Sequence, residues 1–159
     1  MLAVSIKRGL LVLLLFSQIG CSSFISSESR NRSQIIEVGL STAWQVNPDK
    51  YQSSQPVKIC VIETRRAGWL PPRLYEGRIC SDLSNSADII NYEVYILAPG
   101  QNKTYRTSVE VAGKFSRWIV VGAEFRRGIG EYSLIEKVVE PGSDFKMDIN
   151  AENTSLTVL

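Results

Sequence analysis

From Gln34 onward the chain is built of short stretches in which apolar and polar residues alternate, the period of a strand with one buried face. "IIEVGLSTAW" sets Ile36, Val38, Leu40, Thr42 and Trp44 on one side and Glu37, Gly39 and Ser41 on the other. "VNPDKYQSSQP" follows, a polar loop bounded by two prolines. "VKICVIET" then repeats the pattern, with Val57, Ile59 and Val61 opposed to Lys58, Cys60, Ile62 and Thr64. "NYEVYIL" and "KTYRTSVEV" read as two more strands around the turn signal "APG", and Tyr105, Thr107, Val109 and Val111 share one face of the second. "FSRWIVVGAEFRR" is apolar through its middle, as a central strand is. "YSLIEKVVE", "FKMDIN" and "SLTVL" complete the series, separated by "GIG" at Gly128 to Gly130 and by "EPGSD". Between Arg65 and Ile90 the alternation breaks, and Pro71 and Pro72 suit the start of a short helical turn from Arg73 to Glu76. About seven to eight strands with at most a short helix predict an all-β sandwich. No segment repeats at a fixed period, which argues against a solenoid.

Ahead of the alternating region the texture is different. Lys7 and Arg8 precede an apolar run from Gly9 to Phe16, which Ser17 and Gln18 end. A membrane-spanning helix needs roughly 20 apolar residues, so this run has the proportions of an export signal instead. "QIGC" resembles a bacterial lipobox, with Gln18 where leucine is usual, Gly20 before the cut and Cys21 as the lipidated first mature residue. The expected organisation is a signal peptide over 1–20, a lipidated cysteine and flexible tether over 21–33, and a β-sandwich domain over 34–159. "SSFISSESRNRS", from Ser22 to Ser33, has the serine-rich and charged composition of such a tether.

Charge and cysteine content narrow the function. Of 18 basic residues, Lys7 and Arg8 leave with the signal, so the mature chain carries as many basic as acidic residues, 16 of each. A formally neutral domain lacks the broad basic face that nucleic acid requires. Histidine is absent, which removes Ser-His-Asp and Cys-His catalysis and the commonest metal ligand. No catalytic set and no metal site is assigned, and no cofactor is expected beyond the lipid on Cys21. The acidic residues are scattered singly; Glu93 and Glu110 alternate with apolar neighbours and belong to solvated strand faces. In an oxidising compartment Cys60 and Cys80 are candidates for a disulfide, the alternative being two separate buried thiols.

Arg65-Arg66 and Arg126-Arg127 fall at strand ends, where charge protects edges against aggregation or meets an acidic partner. Trp44 and Trp118, on strands, are expected in the core. Trp69, in "AGWLPP", either anchors a protein partner or covers one end of the sandwich.

The order of these features resembles one family. A lipobox at Cys21, a serine-rich tether, a strand, "VNPD" at Val46 to Asp49 and "QPVKICVIE" come first. "LAPG" at Leu97 to Gly100 and "VVGAEFR" at Val120 to Arg126 follow. Together they are similar to the TssJ family, the outer-membrane lipoproteins of type VI secretion systems. The resemblance implies a transthyretin-like β-sandwich on the periplasmic face of the outer membrane. It also implies that the protein holds the periplasmic C-terminal domain of TssM and, through it, TssL. In the family the loop between the first two strands contributes to that contact, which here falls on Asn47, Pro48, Asp49, Lys50, Tyr51 and Gln52. Ser22 is not the aspartate that retains lipoproteins at the inner membrane, in keeping with the outer membrane. A small-ligand or glycan-binding lipoprotein on the same sandwich is the alternative, and it would require a concave pocket with convergent polar groups.

Overall fold

The computed structural model describes residues 33–110, 115–127 and 133–159. The apolar run, Cys21, the serine-rich stretch before Ser33, Val111 and the Gly128 to Gly130 turn lie outside the described residues. Those described belong to one compact unit, Asn31–Leu159.

Among the described residues, eight strands form two four-stranded sheets. They are β1 (Ser33–Val46), β2 (Val57–Thr64), β3 (Ile89–Leu97), β4 (Asn102–Glu110), β5 (Arg117–Glu124), β6 (Leu134–Val139), β7 (Phe145–Asn153) and β8 (Ser155–Val158). One sheet has the order β4-β1-β7-β8 and the other β3-β2-β5-β6. The protein is therefore an all-β sandwich. All pairings are antiparallel except β1 with β7, which is parallel, Ile36 facing Phe145 and Thr42 facing Ala151.

The alternation in the sequence becomes the core between the sheets. Ile36, Val38 and Leu40 of β1 meet Val57, Ile59 and Val61 of β2. Tyr105, Ile119, Val121, Met147 and Ile149 come from the flanking strands. β5 is central, between β2 and β6, as its apolar middle predicts.

β2 is buried on both faces, and the second face has its own cover. Cys60, Ile62 and Val120 point away from the inter-sheet core into a smaller cluster with Trp69, Ile79, Cys80 and Leu83. The irregular segment between β2 and β3 folds back over the outside of the sheet and supplies these last four residues. It contains two 3-10 turns, Leu74–Glu76 and Leu83–Asn85; the first falls within the helical turn predicted over Arg73 to Glu76. Two anchors hold the segment down. Cys80 is disulfide-bonded to Cys60, 20 residues earlier, and closing a loop of that size contributes about 3 kcal/mol. Its backbone N–H also donates to Glu124 Oε1 at 2.9 Å. Gly122 of β5 lies directly beneath Ile79, and any β-carbon there would collide with that side chain.

Trp69 takes the covering role of the two the sequence left open. It is buried, and its Nε1 donates to Ser86 Oγ at 3.1 Å. Trp44 departs from the core position expected of it, being 78% exposed. The cause is a register irregularity: β1 uses four positions from Thr42 to Val46 while β7 uses two from Ala151 to Asn153. The extra residues turn Trp44 outward, as a bulge does, and it lies against Gly100, whose φ of +75° forms the β3–β4 turn. Trp118 also lies outside the inter-sheet core and is only half-buried.

Candidate functional site

The sandwich has two distinct ends. β1 begins at Ser33 opposite Glu110, at the end where β2 and β4 finish and β5 begins. This is the entry pole, because the chain arrives there from its N-terminal stretch. At the far pole β1 ends, and the loop of residues 47–56 leads into β2.

That loop is built from two residues with different tasks. Asn47 is 3% exposed and adopts φ +48°, in the left-handed region that asparagine tolerates. Its backbone N–H donates to Asn153 O at 2.7 Å, and its Nδ2 donates to Pro56 O at 2.6 Å. Its Oδ1 accepts from the Arg126 backbone N–H at 2.7 Å. One amide side chain thereby joins both ends of the loop to the stretch after β5. The sequence grouped Asn47 with the partner-contacting residues; burial turns its side chain inward, where it fixes the base of the loop.

Asp49 shapes the tip. Its Oδ1 accepts from the backbone N–H groups of Tyr51 at 2.8 Å and Ser53 at 2.9 Å. Its own backbone closes the turn through Gln52 N–H to Asp49 O and Asp49 N–H to Ser53 O. Such aspartate-centred turns hold a loop without secondary structure. Pro48 is half-buried, whereas Lys50, Tyr51 and Gln52 are exposed. The Tyr51 ring is 75% exposed, with the Lys50 ammonium 4.8 Å from its centroid. The far pole therefore presents an ordered loop with an aromatic at its tip, together with exposed Trp44. Sequence reasoning missed Trp44 because its alternation runs in phase with the core residues; only the register irregularity displaces it. Asn47→Ala is expected to cost about 1–3 kcal/mol, since it removes the buried amide that bonds the Pro56 carbonyl and the Arg126 N–H. Chemical denaturation of the variant measures this, and a loss below that of an ordinary surface substitution would remove Asn47 from its role at the loop base.

The entry pole holds a buried polar network that the sequence did not suggest. Glu63 is 1% exposed, on the core face in line with Val57, Ile59 and Val61. It accepts from Arg117 Nη1 at 2.8 Å and from the Tyr105 hydroxyl. Asn91 Nδ2 in turn donates to the Tyr105 oxygen at 2.9 Å. Burial, reinforced by the Glu63 hydrogen bond and charge, pushes the Tyr105 hydroxyl far above its ordinary pKa, so it remains a donor. The acidic residues are thus not all on solvated faces. Two-residue spacing after Val61 was the available signal for Glu63. Arg65 and Arg66 follow β2; Arg66 pairs with Asp88 at 3.6 Å. No group of three or more potential metal ligands occurs among the described residues, and no helix among them is long and apolar enough to cross a membrane.

Comparisons with known proteins agree with this geometry. The family model described as type VI secretion lipoprotein, VasD, EvfM, TssJ, matches residues 34–154. The chain belongs to this family of type VI secretion lipoproteins. Among solved structures it is similar to the type VI lipoprotein TssJ1 from Pseudomonas aeruginosa, at 12% identity and a TM-score of 0.62, covering 80% of this chain and 98% of that one. It is also similar to Lip of Serratia marcescens, a membrane-bound component of the type VI secretion system, at 19% identity, TM-score 0.61 and coverages of 80% and 97%. A structure described as the TssM C-terminal domain from EAEC matches at 15% identity and TM-score 0.58, with coverages of 79% and 98%. At these identities the likeness is one of fold. No curated protein sequence matches the chain.

Proposed function

We propose that the protein is lipidated at Cys21 and held on the periplasmic face of the outer membrane, where it binds the periplasmic C-terminal domain of TssM. In doing so it tethers the type VI secretion membrane complex, including TssL through TssM, to that membrane. The observation that carries this reading is the polarity of the fold. β1 runs 14 residues from the entry pole to the far pole, about 45 Å at strand rise. The ordered loop with Tyr51 at its tip therefore faces away from the end to which an anchor would be joined. Asp49 and Asn47 hold that loop in shape beforehand, which lowers the ordering cost of binding. Family membership and the similarity to type VI secretion structures support the choice of partner.

Exposed aromatics in a pre-shaped surface are the usual energetic centres of an interface. Tyr51→Ala is expected to weaken binding of the TssM C-terminal domain by about 2 kcal/mol, roughly thirtyfold, without lowering the melting temperature. Titration calorimetry with the purified partner domain makes the measurement. Unchanged affinity after the whole tip from Asp49 to Ser53 is shortened would count decisively against the loop.

A small-ligand or glycan site fits less well. The space between the sheets is filled by side chains. A hollow of about 640 Å³ lies outside it at the entry pole, but the Arg117 guanidinium on its wall is already engaged by Glu63. We assign no catalytic role: Glu63, the buried carboxylate, is committed to Arg117 and Tyr105.

A further inference from the structure

The hollow at the entry pole has an unusual rim. It is lined by Arg65, Ile90, Phe115, Ser116, Arg117 and Trp118. Phe115 is 84% exposed, next to half-buried Trp118 and exposed Arg65. Arg65 is in no ion pair among the described residues, whereas Arg117 is neutralised by Glu63. An exposed phenylalanine beside tryptophan and a free guanidinium is the side-chain set found at the boundary between lipid headgroups and acyl chains. Glu110, which would be repelled by lipid phosphate, lines a neighbouring small hollow together with Phe115 and Arg117. The attractive groups, Trp118 and Arg65, lie on the other side of Phe115, in the first hollow.

We infer that this rim, centred on Phe115 and Trp118 with Arg65 beside them, rests on the phospholipid surface that carries the anchor and fixes the orientation of the domain. The inference builds on the anchoring proposed above. About a dozen residues separate Cys21 from Ser33, and no chain of that length can reach beyond roughly 40 Å. The chain enters the fold at the same pole as Phe115. A tether this short keeps the rim within reach of the bilayer, while the Tyr51 loop lies a full β1 length beyond. Docked in this way, the domain presents its partner loop outward instead of turning freely on its tether. The bilayer contact and the partner contact then occupy opposite ends of one rigid sandwich.

The test uses the chain from Cys21 to Leu159, since every described strand, both apolar clusters and the disulfide lie between Ser33 and Leu159. Cys60 and Cys80 are bridged, so Cys21 is its one free thiol and can be coupled to a maleimide-headgroup lipid in phosphatidylglycerol-containing vesicles with brominated acyl chains. Two proteins are compared: one carrying Phe115→Trp with Trp44→Phe, and one keeping the native residues. Trp69 and Trp118 are common to both, so the difference reports position 115 against position 44. The Phe115→Trp protein is expected to lose more fluorescence to bromine quenching than the native protein. Adding Arg65→Glu should reduce that loss. Equal quenching of the two, stronger quenching with Trp44 present, or indifference to Arg65→Glu would overturn the docking. Coupling imposes the tether chemically, so this result is independent of natural lipidation, which Cys21→Ser in the full chain tests separately.

Discussion

Replacement of Cys21 by serine is expected to move the protein from the membrane fraction to the soluble periplasmic fraction and to stop type VI secretion. Serine matches cysteine in size but offers no sulfur for a thioether-linked lipid, so the substitution should remove the proposed anchor and little else. The effect is large because each buried methylene contributes about 0.8 kcal/mol, and more than one acyl chain is needed for lasting attachment. A docking rim on the domain cannot compensate, since a contact of a few side chains is far weaker than acyl chains buried in the bilayer. The fold should survive: Cys60 and Cys80 pair with each other, and every described member of both apolar clusters lies at Ile36 or beyond. Unchanged circular dichroism together with loss from the membrane fraction is the expected pair of results. A Cys21→Ser protein that stays in the membrane and supports secretion would sink the anchoring role.

Loss of anchoring and loss of partner binding should also separate. Cys21→Ser does not touch the Tyr51 loop, so on the proposed function the released domain should still bind the TssM C-terminal domain in solution. Tyr51→Ala should leave the protein in the membrane fraction while weakening the proposed partner contact roughly thirtyfold. Each substitution should impair the proposed link between membrane and secretion complex, but from opposite ends of the sandwich.

How much of this was legible in the sequence depended on whether burial was one-sided. β1 and β4 bury one face, and the alternation of Ile36, Val38 and Leu40, or of Tyr105, Thr107 and Val109, announced both strands and their inward residues. β2 is covered on both sides, and a run such as "VKICVIET" shows the strand without showing what covers its second face. That cover comes from Trp69, Ile79 and Leu83, which follow no period because their segment is neither a regular strand nor an extended helix. Trp44 was misplaced because a bulge is a matter of pairing with β7, and one strand's pattern contains no information about its partner's count of residues. Within the loop, composition marked a turn-rich connection. The division of labour, with Asn47 inside, Asp49 holding the turn and Tyr51 outside, depends on contacts to Asn153, Pro56 and Arg126 that local sequence cannot show.

Arg117→Ala is expected to be the most destabilising single substitution in the domain outside its apolar core. Arg117 meets Glu63 at 2.8 Å, and Glu63 is almost wholly removed from water. Removing the guanidinium leaves a buried carboxylate with the Tyr105 hydroxyl as its remaining donor. Breaking a buried pair from one side costs about 3–5 kcal/mol, because the surviving charge has lost both its partner and its water. That is a large share of the roughly 5–15 kcal/mol by which domains of ordinary size are stable. The cost should be largely reversed when the orphaned charge is removed as well. Glu63→Leu added to Arg117→Ala replaces the carboxylate by an apolar group among Val61, Ile119 and their neighbours, and leaves only the Tyr105 hydroxyl short of an acceptor. Urea denaturation of the native protein, both single variants and the double variant closes the cycle. A double variant more stable than Arg117→Ala alone identifies the buried charge as the source of the loss. If the two losses simply add, the ion pair contributes nothing to the coupling, and the cost of Arg117→Ala must be assigned to the packing of its aliphatic stem beside Phe115 at the entry pole.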